Sequence, residues 1–361
     1  MDRRTGWFVV SLLLVGVFVT ASCRNAQPEV LATETQMPSL TPSSMPTSTP
    51  TSTPTPWPTR KPQEKSNCPA GGWTLYTEES GLIGSYFKSI ATGSDGVIWA
   101  ADFYGTINWL YNGKWSTVPS VSIPEINVMI PLETGGLWVG TQGGQVSLVE
   151  GYDRLWTSRV IPMEKGGTAV YDLAISPQGH LWAGTWDGLY ELWGDDWAEI
   201  PKPVPENVIL YSPTALYFDQ KGGLWVGARH SFNYYFQGVW SGPSEGIPEL
   251  VNIEDIEQDS SGNLWFGSIT GAFVYDGETW ERVYPVDYTP GDTLQTRSLA
   301  VDYEGRIWLV SEQDTAVYQA GKWESVIPDV GSQEISIHSV EVDPWGAMWF
   351  ASNEGVLCYL P

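Results

Sequence analysis

Histidine and cysteine occur only three times each in 361 residues, and basic residues are scarce: 18 Lys and Arg against 42 Asp and Glu. The three histidines, His180, His230 and His338, are far apart, and no pair has the spacing of metal ligands. No Ser/His/Asp or Cys/His set converges at one repeat position, so catalysis has no motif to stand on. Three cysteines, Cys23, Cys68 and Cys358, are too few for a disulfide-dense scaffold. Residues 70–361 carry 12 Lys/Arg against 38 Asp/Glu, a net of −26. Binding nucleic acid or an anionic membrane through that region would cost electrostatic work, which excludes both as general partners. Helix-forming stretches are scarce too. What the chain has instead is 38 Gly, 26 Pro, 17 Tyr and 20 Trp, a composition suited to short strands, tight turns and large buried aromatics.

The ends of the chain differ from its body. Arg3 and Arg4 precede an apolar run, Trp7 to Val19, followed by Thr20-Ala21-Ser22-Cys23, the layout of a secretory signal over residues 1–22. Thirteen residues cover only about 20 Å of helix, short of a bilayer core. The Ala-Ser-Cys ending resembles the lipobox of bacterial lipoproteins, which implies lipidation of Cys23. Thr20 stands where that motif usually has Leu, so ordinary signal cleavage stays open. Residues 23–68 are dominated by Ser, Thr and Pro ("TPSSMPTSTPTSTPTPWPTRKP"), with almost nothing to bury, and read as an extended linker. Fully extended, it would reach ~130 Å at ~3.1 Å per residue.

From residue 69 a single phrase repeats. Leu, Ile or Met followed by Trp recurs with Trp at 99, 138, 182, 225, 265, 308 and 349. Each copy follows an alternating apolar segment and a Gly-containing turn, and a second Trp arrives 15 to 18 residues later, at 115, 156, 197, 240, 280 and 323. Four short strands and three tight turns per ~42 residues is the sequence form of a propeller blade. The expectation is an all-β, seven-bladed β-propeller of four-stranded blades over residues 69–361. The last copy ends before its second Trp, while "GGWTLY" (Gly71–Tyr76) matches the missing piece at the other end. The N-terminal strand around Trp73 is therefore expected to close the last blade. That closure brings Cys68 toward Cys358 and predicts a disulfide between them.

The phrases "GHLWAGTWDGLYELWGDDW", "GGLWVGTQGG" and "GNLWFGSITGAFVYDGETW" resemble the repeat of two-component regulator propellers, the extracytoplasmic sensor regions of bacterial hybrid histidine kinases. The resemblance implies a propeller used as a recognition head outside the cytoplasm. No kinase, receiver or DNA-binding segment follows in these residues, so it does not carry the signalling role. Streptogramin-inactivating propeller lyases have distantly similar blades.

Repetition also separates fold from function, since what recurs in every blade serves the fold and what departs is a candidate site. Departures gather in the loop after the second strand: Asp102, Phe103 and Tyr104 in the first blade, Trp186 and Asp187 in the third, Arg229, His230 and Phe232 in the fourth, Glu312 and Asp314 in the sixth. Aromatics mixed with charges there suit a small ligand, a glycan or a peptide. His180 belongs to a turn on the opposite face, and His338 to an innermost-strand pattern, which leaves His230 beside Arg229 as the histidine expected at the channel mouth. No cofactor or metal is implied. The leading reading is a monomeric, lipid-anchored binding head at the cell surface, or a secreted one if Cys23 is unmodified, serving a small ligand, a glycan or a membrane-protein partner. The alternatives are an extracytoplasmic lyase or hydrolase acting on carbohydrate or cell wall, and a passive surface scaffold.

Overall fold

The computed structural model describes residues 64–361 except 124, 134, 153–154, 162–168, 201–211, 230, 242–251, 284–294, 313 and 332–334. Cys23, the signal segment and most of the linker lie outside the described residues, as does His230. Among the described residues, 28 strands form seven four-stranded antiparallel sheets. These are the seven blades expected from the tryptophan spacing. With strands lettered a to d outward from the channel, the a strands are Phe87–Thr92, Ile126–Pro131, Val170–Ile175, Pro213–Phe218, Ile253–Gln258, Thr296–Val301 and Ile337–Val342 for blades 1 to 7. Each a strand packs against the next, and that of blade 7 packs against that of blade 1, which closes the ring. No helix among the described residues is long and apolar enough to cross a membrane.

Blades stack through tryptophan. Seven apolar cores lie between neighbouring blades, and each takes the b-strand Trp of one blade. In six of them, the d-strand Trp of the following blade joins it: Trp349 with Trp115, Trp138 with Trp197, Trp182 with Trp240, Trp225 with Trp280, Trp265 with Trp323, and Trp308 with Trp73. The side chain of Trp156, which would complete the seventh, is outside the described set. Burying both faces of a b strand makes it apolar throughout, and in six of the blades all five of its residues are buried. The glycine after Leu-Trp-x serves the same stacking. A Cβ on Gly140 would come within 2.7 Å of Val170 on the next blade, and one on Gly227 within 2.6 Å of Ile253.

The a–b turns hold the tryptophans in place. All seven have a glycine with positive φ, from Gly305 at 76° to Gly262 at 91°. In blades 4 to 7 the turn opens with a buried aspartate: Asp219, Asp259, Asp302 and Asp343. One carboxylate oxygen accepts the backbone N–H groups two and four residues on, and the other accepts the indole N–H of the Trp six residues on, at 2.9–3.1 Å. The aspartate thus ties turn, strand and interblade core together. Blade 3 has Ser176 at this place; its hydroxyl accepts the His180 N–H but leaves the buried Trp182 Nε1 with no protein acceptor.

Closure of the ring follows the expectation. Gly72–Tyr76 pairs antiparallel with Val356–Leu360 as the d strand of blade 7. Trp73 lies 5.0 Å from Tyr359 and 5.1 Å from Phe350, and Tyr76 stacks on Trp349 at 5.8 Å. Cys68 and Cys358 are joined in a disulfide, with Cα atoms 5.9 Å apart. Just before it, Ser66 donates to Asp343 of blade 7, while Asn67 donates to the Gly96 carbonyl and accepts from the Gly113 N–H, both in blade 1. The entering segment therefore spans the blade 7–blade 1 junction on the face of the a–b turns.

Two expected outcomes follow from these contacts. Ser176→Asp should supply the missing indole acceptor and raise unfolding free energy by about 1 kcal/mol in a denaturant titration; no gain would mean the aspartates act only on the turn. Trp73→Ala should cost about 3 kcal/mol by the same titration, because it removes the outer indole that packs on Phe350 and Tyr359 in the blade 6–blade 7 core.

Candidate functional site

Every a strand contains the same irregularity. Pairing with the b strand skips one residue between Phe87 and Ser89, Ile126 and Val128, Val170 and Asp172, Pro213 and Ala215, Ile253 and Asp255, Thr296 and Ser298, and Ile337 and Ser339. A bulge frees one residue from the ladder and re-aims its side chain. The seven freed residues are Lys88, Asn127, Tyr171, Thr214, Glu254, Arg297 and His338. All of them line one cavity of about 530 Å³, at the end of the channel opposite the a–b turns.

The mouth is chemically lopsided. Across blades 6, 7 and 1 it presents Arg297, His338 and Lys88. The Arg297 guanidinium is 3.1 Å from Glu312, and the Lys88 ammonium donates to the Asn127 side-chain oxygen at 2.7 Å. Burial lowers the Lys88 pKa, partly offset by the charge of Glu125. His338 sits between the two cations. Burial first, then the charges of Arg297 and Lys88, hold its pKa below the usual value against an opposing bond to the Phe87 carbonyl. That carbonyl, 2.7 Å from Nδ1, can only accept, so the neutral ring carries its proton on Nδ1 and keeps a lone pair on Nε2. On the other side, Glu254 feels Arg229, whose guanidinium lies 4.9 Å from the Trp186 ring centre. An aromatic rim runs outward from His338: Tyr86 stacks on it at 4.6 Å, Phe103 meets Tyr86 edge-on at 6.0 Å, and Tyr104 meets Phe103 at 5.6 Å.

Below the mouth the channel turns acidic. Asp172 and Asp255 follow the bulges of blades 3 and 5, and Glu257 and Glu341 lie two residues further along the strands of blades 5 and 7. Asp172 accepts the Leu216 N–H of the next blade at 2.7 Å, and Asp255 accepts that of Leu299 at 2.7 Å, so these two stitch neighbouring a strands together. All four keep some accessible area because they face the channel, yet protein surrounds them on the other sides. Desolvation, then mutual repulsion, pushes Glu341 up to about 8 and Glu257 well above the carboxylate range. Asp172 rises to about 8 and Asp255 to about 6 for the same first cause, against the pull of their backbone bonds. Among the described residues, no group of three His, Cys, Asp or Glu is arranged to hold a metal ion.

The residues singled out from sequence divide in two. Phe103 and Glu312 line the cavity, Tyr104 extends its rim, and Arg229 with Trp186 flanks Glu254. Asp187 follows Trp186 in the same turn, half-buried. Asp102 is buried and spends its carboxylate on the Tyr104 and Thr106 N–H groups. Phe232 is buried in the blade 4–blade 5 core against Trp280, 4.9 Å away. Asp314 bonds the Thr315 N–H and the Ser325 hydroxyl, away from the mouth. His338, read from sequence as an inner-strand residue outside the site, is in the cavity wall. His180 is on the opposite face as expected, 2.8 Å from Glu191.

No family model and no curated protein matches the chain. Solved structures do. The extracellular domain of a hybrid two component system from B. thetaiotaomicron is 19% identical, with a TM-score of 0.67 over 82% of this chain and 42% of that one. A catalytically inactive virginiamycin B lyase from Staphylococcus aureus, solved with quinupristin, is 12% identical with a TM-score of 0.63, covering 80% and 99%. YCF48 bound to D1 peptide is 15% identical with a TM-score of 0.55, covering 81% and 97%. The chain spans less than half of the first of these, and at such identities the likeness is one of fold.

The channel carboxylates give a pH dependence of definite sign. Their folded pKa values lie above the unfolded ones near ~4, so the folded state holds extra protons between the two. Their contribution is complete below about pH 4 and is lost as pH rises toward about 8. Glu341→Gln should therefore raise the melting temperature at about pH 8 and change it little at about pH 4; an equal gain at both would show that ionisation is not the cause.

Proposed function

We propose that the protein is an extracytoplasmic recognition head that binds a ligand at the channel mouth. The observation that carries this is the bulge ring. Seven equivalent positions, each at the same register shift, hold seven different side chains, and all seven converge on one cavity. A purely structural bulge would have no need of lysine, tyrosine, glutamate, arginine and histidine in turn, whereas a binding site requires such variety. The point of chain entry fits the same reading. Ser66 to Cys68 dock on the face of the a–b turns, so the mouth opens on the side away from the entering chain. A linker ending there, lipid-anchored at Cys23 or free, would present the mouth outward. Two of the neighbours were solved with a partner, the inactive lyase with quinupristin and YCF48 with D1 peptide, which supports a binding role without choosing the ligand.

An extracytoplasmic lyase or hydrolase is the second reading, favoured by one observation: the open Nε2 of neutral His338 in the cavity wall, which is suited to accept a proton.

The test is binding by the full chain on glycan, peptide and small-molecule arrays. Binding should be lost in Thr214→Trp, which fills part of the mouth, and kept in Lys221→Glu on the opposite face, with both variants melting as cooperatively as the parent. Binding indifferent to Thr214→Trp would place recognition elsewhere. Turnover of any bound compound that disappears in His338→Ala would favour the enzyme.

A further inference from the structure

One arc of the mouth is basic in an acidic molecule, and that arc adjoins the aromatic side. Glu254 is within the field of Arg229, and Glu312 bonds Arg297, so those four charges are answered within the rim. Lys88 is different. Its hydrogen-bond partner is the neutral amide oxygen of Asn127, and Glu125 acts on it only through space. A half-buried ammonium answered by an amide is a place where an incoming anion gains from both charge and desolvation. Arg297 and the His338 ring lie beside it, close enough that both cations weigh on the imidazole. The four carboxylates below, mostly protonated at neutral pH, offer an anion no cation, so among the described residues its charge partners are found only at the rim.

The neighbouring surface is carbon-rich. Among the described residues the exposed aromatic side chains are Tyr86 (42%), Phe103 (50%), Tyr104 (77%), Trp193 and Tyr303, and the first three form one continuous run from His338 outward. Exposing three rings in contact costs solvation and is unusual on a monomer unless something covers them. Edge-to-face pairs such as Tyr86–Phe103 leave a ring face and a ring edge for a third ring to meet. A sugar would place hydroxyls against Phe103, with only the two tyrosine hydroxyls of the run to receive them.

Granting that the mouth is the binding site, we propose that its ligand joins a carboxylate-like anionic group to a planar aromatic ring, the anion held at Lys88 and Arg297 beside His338, and the ring laid on Tyr86 and Phe103. Lys88 supplies a charge bonded only to a neutral amide, Arg297 further N–H donors beside its Glu312 bond, and the rim the apolar area. Affinity divides between the two halves, so each can be removed without the other.

The probes are N-acetyl-L-tyrosine, its neutral amide, N-acetylglycine and glucuronate, titrated into the full chain at millimolar concentration by saturation-transfer NMR and calorimetry. N-acetyl-L-tyrosine should bind about tenfold more tightly than its amide, the size expected of one charged hydrogen bond. Lys88→Met should remove most of that preference. Phe103→Ala should weaken acid and amide alike, and N-acetylglycine should bind more weakly than the tyrosine derivative. The proposal is overturned if the amide binds as well as the acid, if Lys88→Met leaves the preference intact, if glucuronate binds better than the aromatic acid, or if the aromatic acid does not bind. An amide that binds as well as the acid, with both abolished by Thr214→Trp, would sink the anion assignment alone and leave the mouth as the binding site. Probe binding that survives Thr214→Trp would sink both.

Discussion

The structure depends on one exchange between neighbours: at six of the seven junctions, the second-strand tryptophan of one blade leaves its own sheet to meet the outer-strand tryptophan of the next. A four-stranded sheet of this size cannot bury two indoles by itself, and only a ring gives every blade a neighbour on each side. The requirement is cyclic, so it has to be met at the seam as well. Trp308 has a counterpart only because Gly72–Tyr76 arrives from the far end of the chain. The disulfide and the Ser66–Asn67 bonds hold that seam on the turn face, while Tyr76 ties it into the blade 7–blade 1 core through Trp349 and Trp115.

The aspartates that open four of the a–b turns show how turn chemistry and core packing become one constraint. A carboxylate has two oxygens, and here one organises the turn while the other fixes an indole six residues away. Serine in blade 3 can do the first task but is too short for the second. From sequence these residues looked like hairpin turns and nothing more. The indole bond depends on where Trp points once the blades have stacked, and a local turn signal carries no such information.

How much was legible follows the same division. Blade number, strand count and the seam could be read because they rest on residues that recur: Leu-Trp, the turn glycines, and the orphan Trp73. The candidate site was only half legible. Phe103, Tyr104, Arg229 and Glu312 stood out as departures within loops, but Asp102 and Phe232 departed for reasons of turn and core. The inner-strand residues Lys88, Asn127, Tyr171, Thr214, Glu254, Arg297 and His338 were passed over because they sit inside an apparently regular strand. A signal was there all the same. Aligning "FKSIAT", "INVMIP", "VYDLAI", "PTALYF", "IEDIEQ", "TRSLAV" and "IHSVEV" leaves the second letter without a common chemistry, while the fourth is Ile, Met, Leu or Val throughout. Such a column in a strand should be read as a bulge facing open space.

The bulge is also what allows one ring to be acidic and basic at different depths. A residue freed from the ladder can face the mouth without disturbing the alternation that follows, so each a strand sets its rim chemistry independently of its interior. Blade 7 places His338 at the rim and Glu341 below it; blade 5 places Glu254 above Asp255 and Glu257. With acids and, among the described residues, no cation beneath, and cations on one arc of the rim, an anion finds its charge partners only at the entrance. A ligand drawn to Lys88 would stop at the entrance, where the exposed rings of Tyr86 and Phe103 lie. Depth selection by the rim cations and lateral selection by the aromatics thus act on the same molecule at the same place. That coincidence is why the mouth, among the surfaces of a fold reused for many purposes, carries the functional reading.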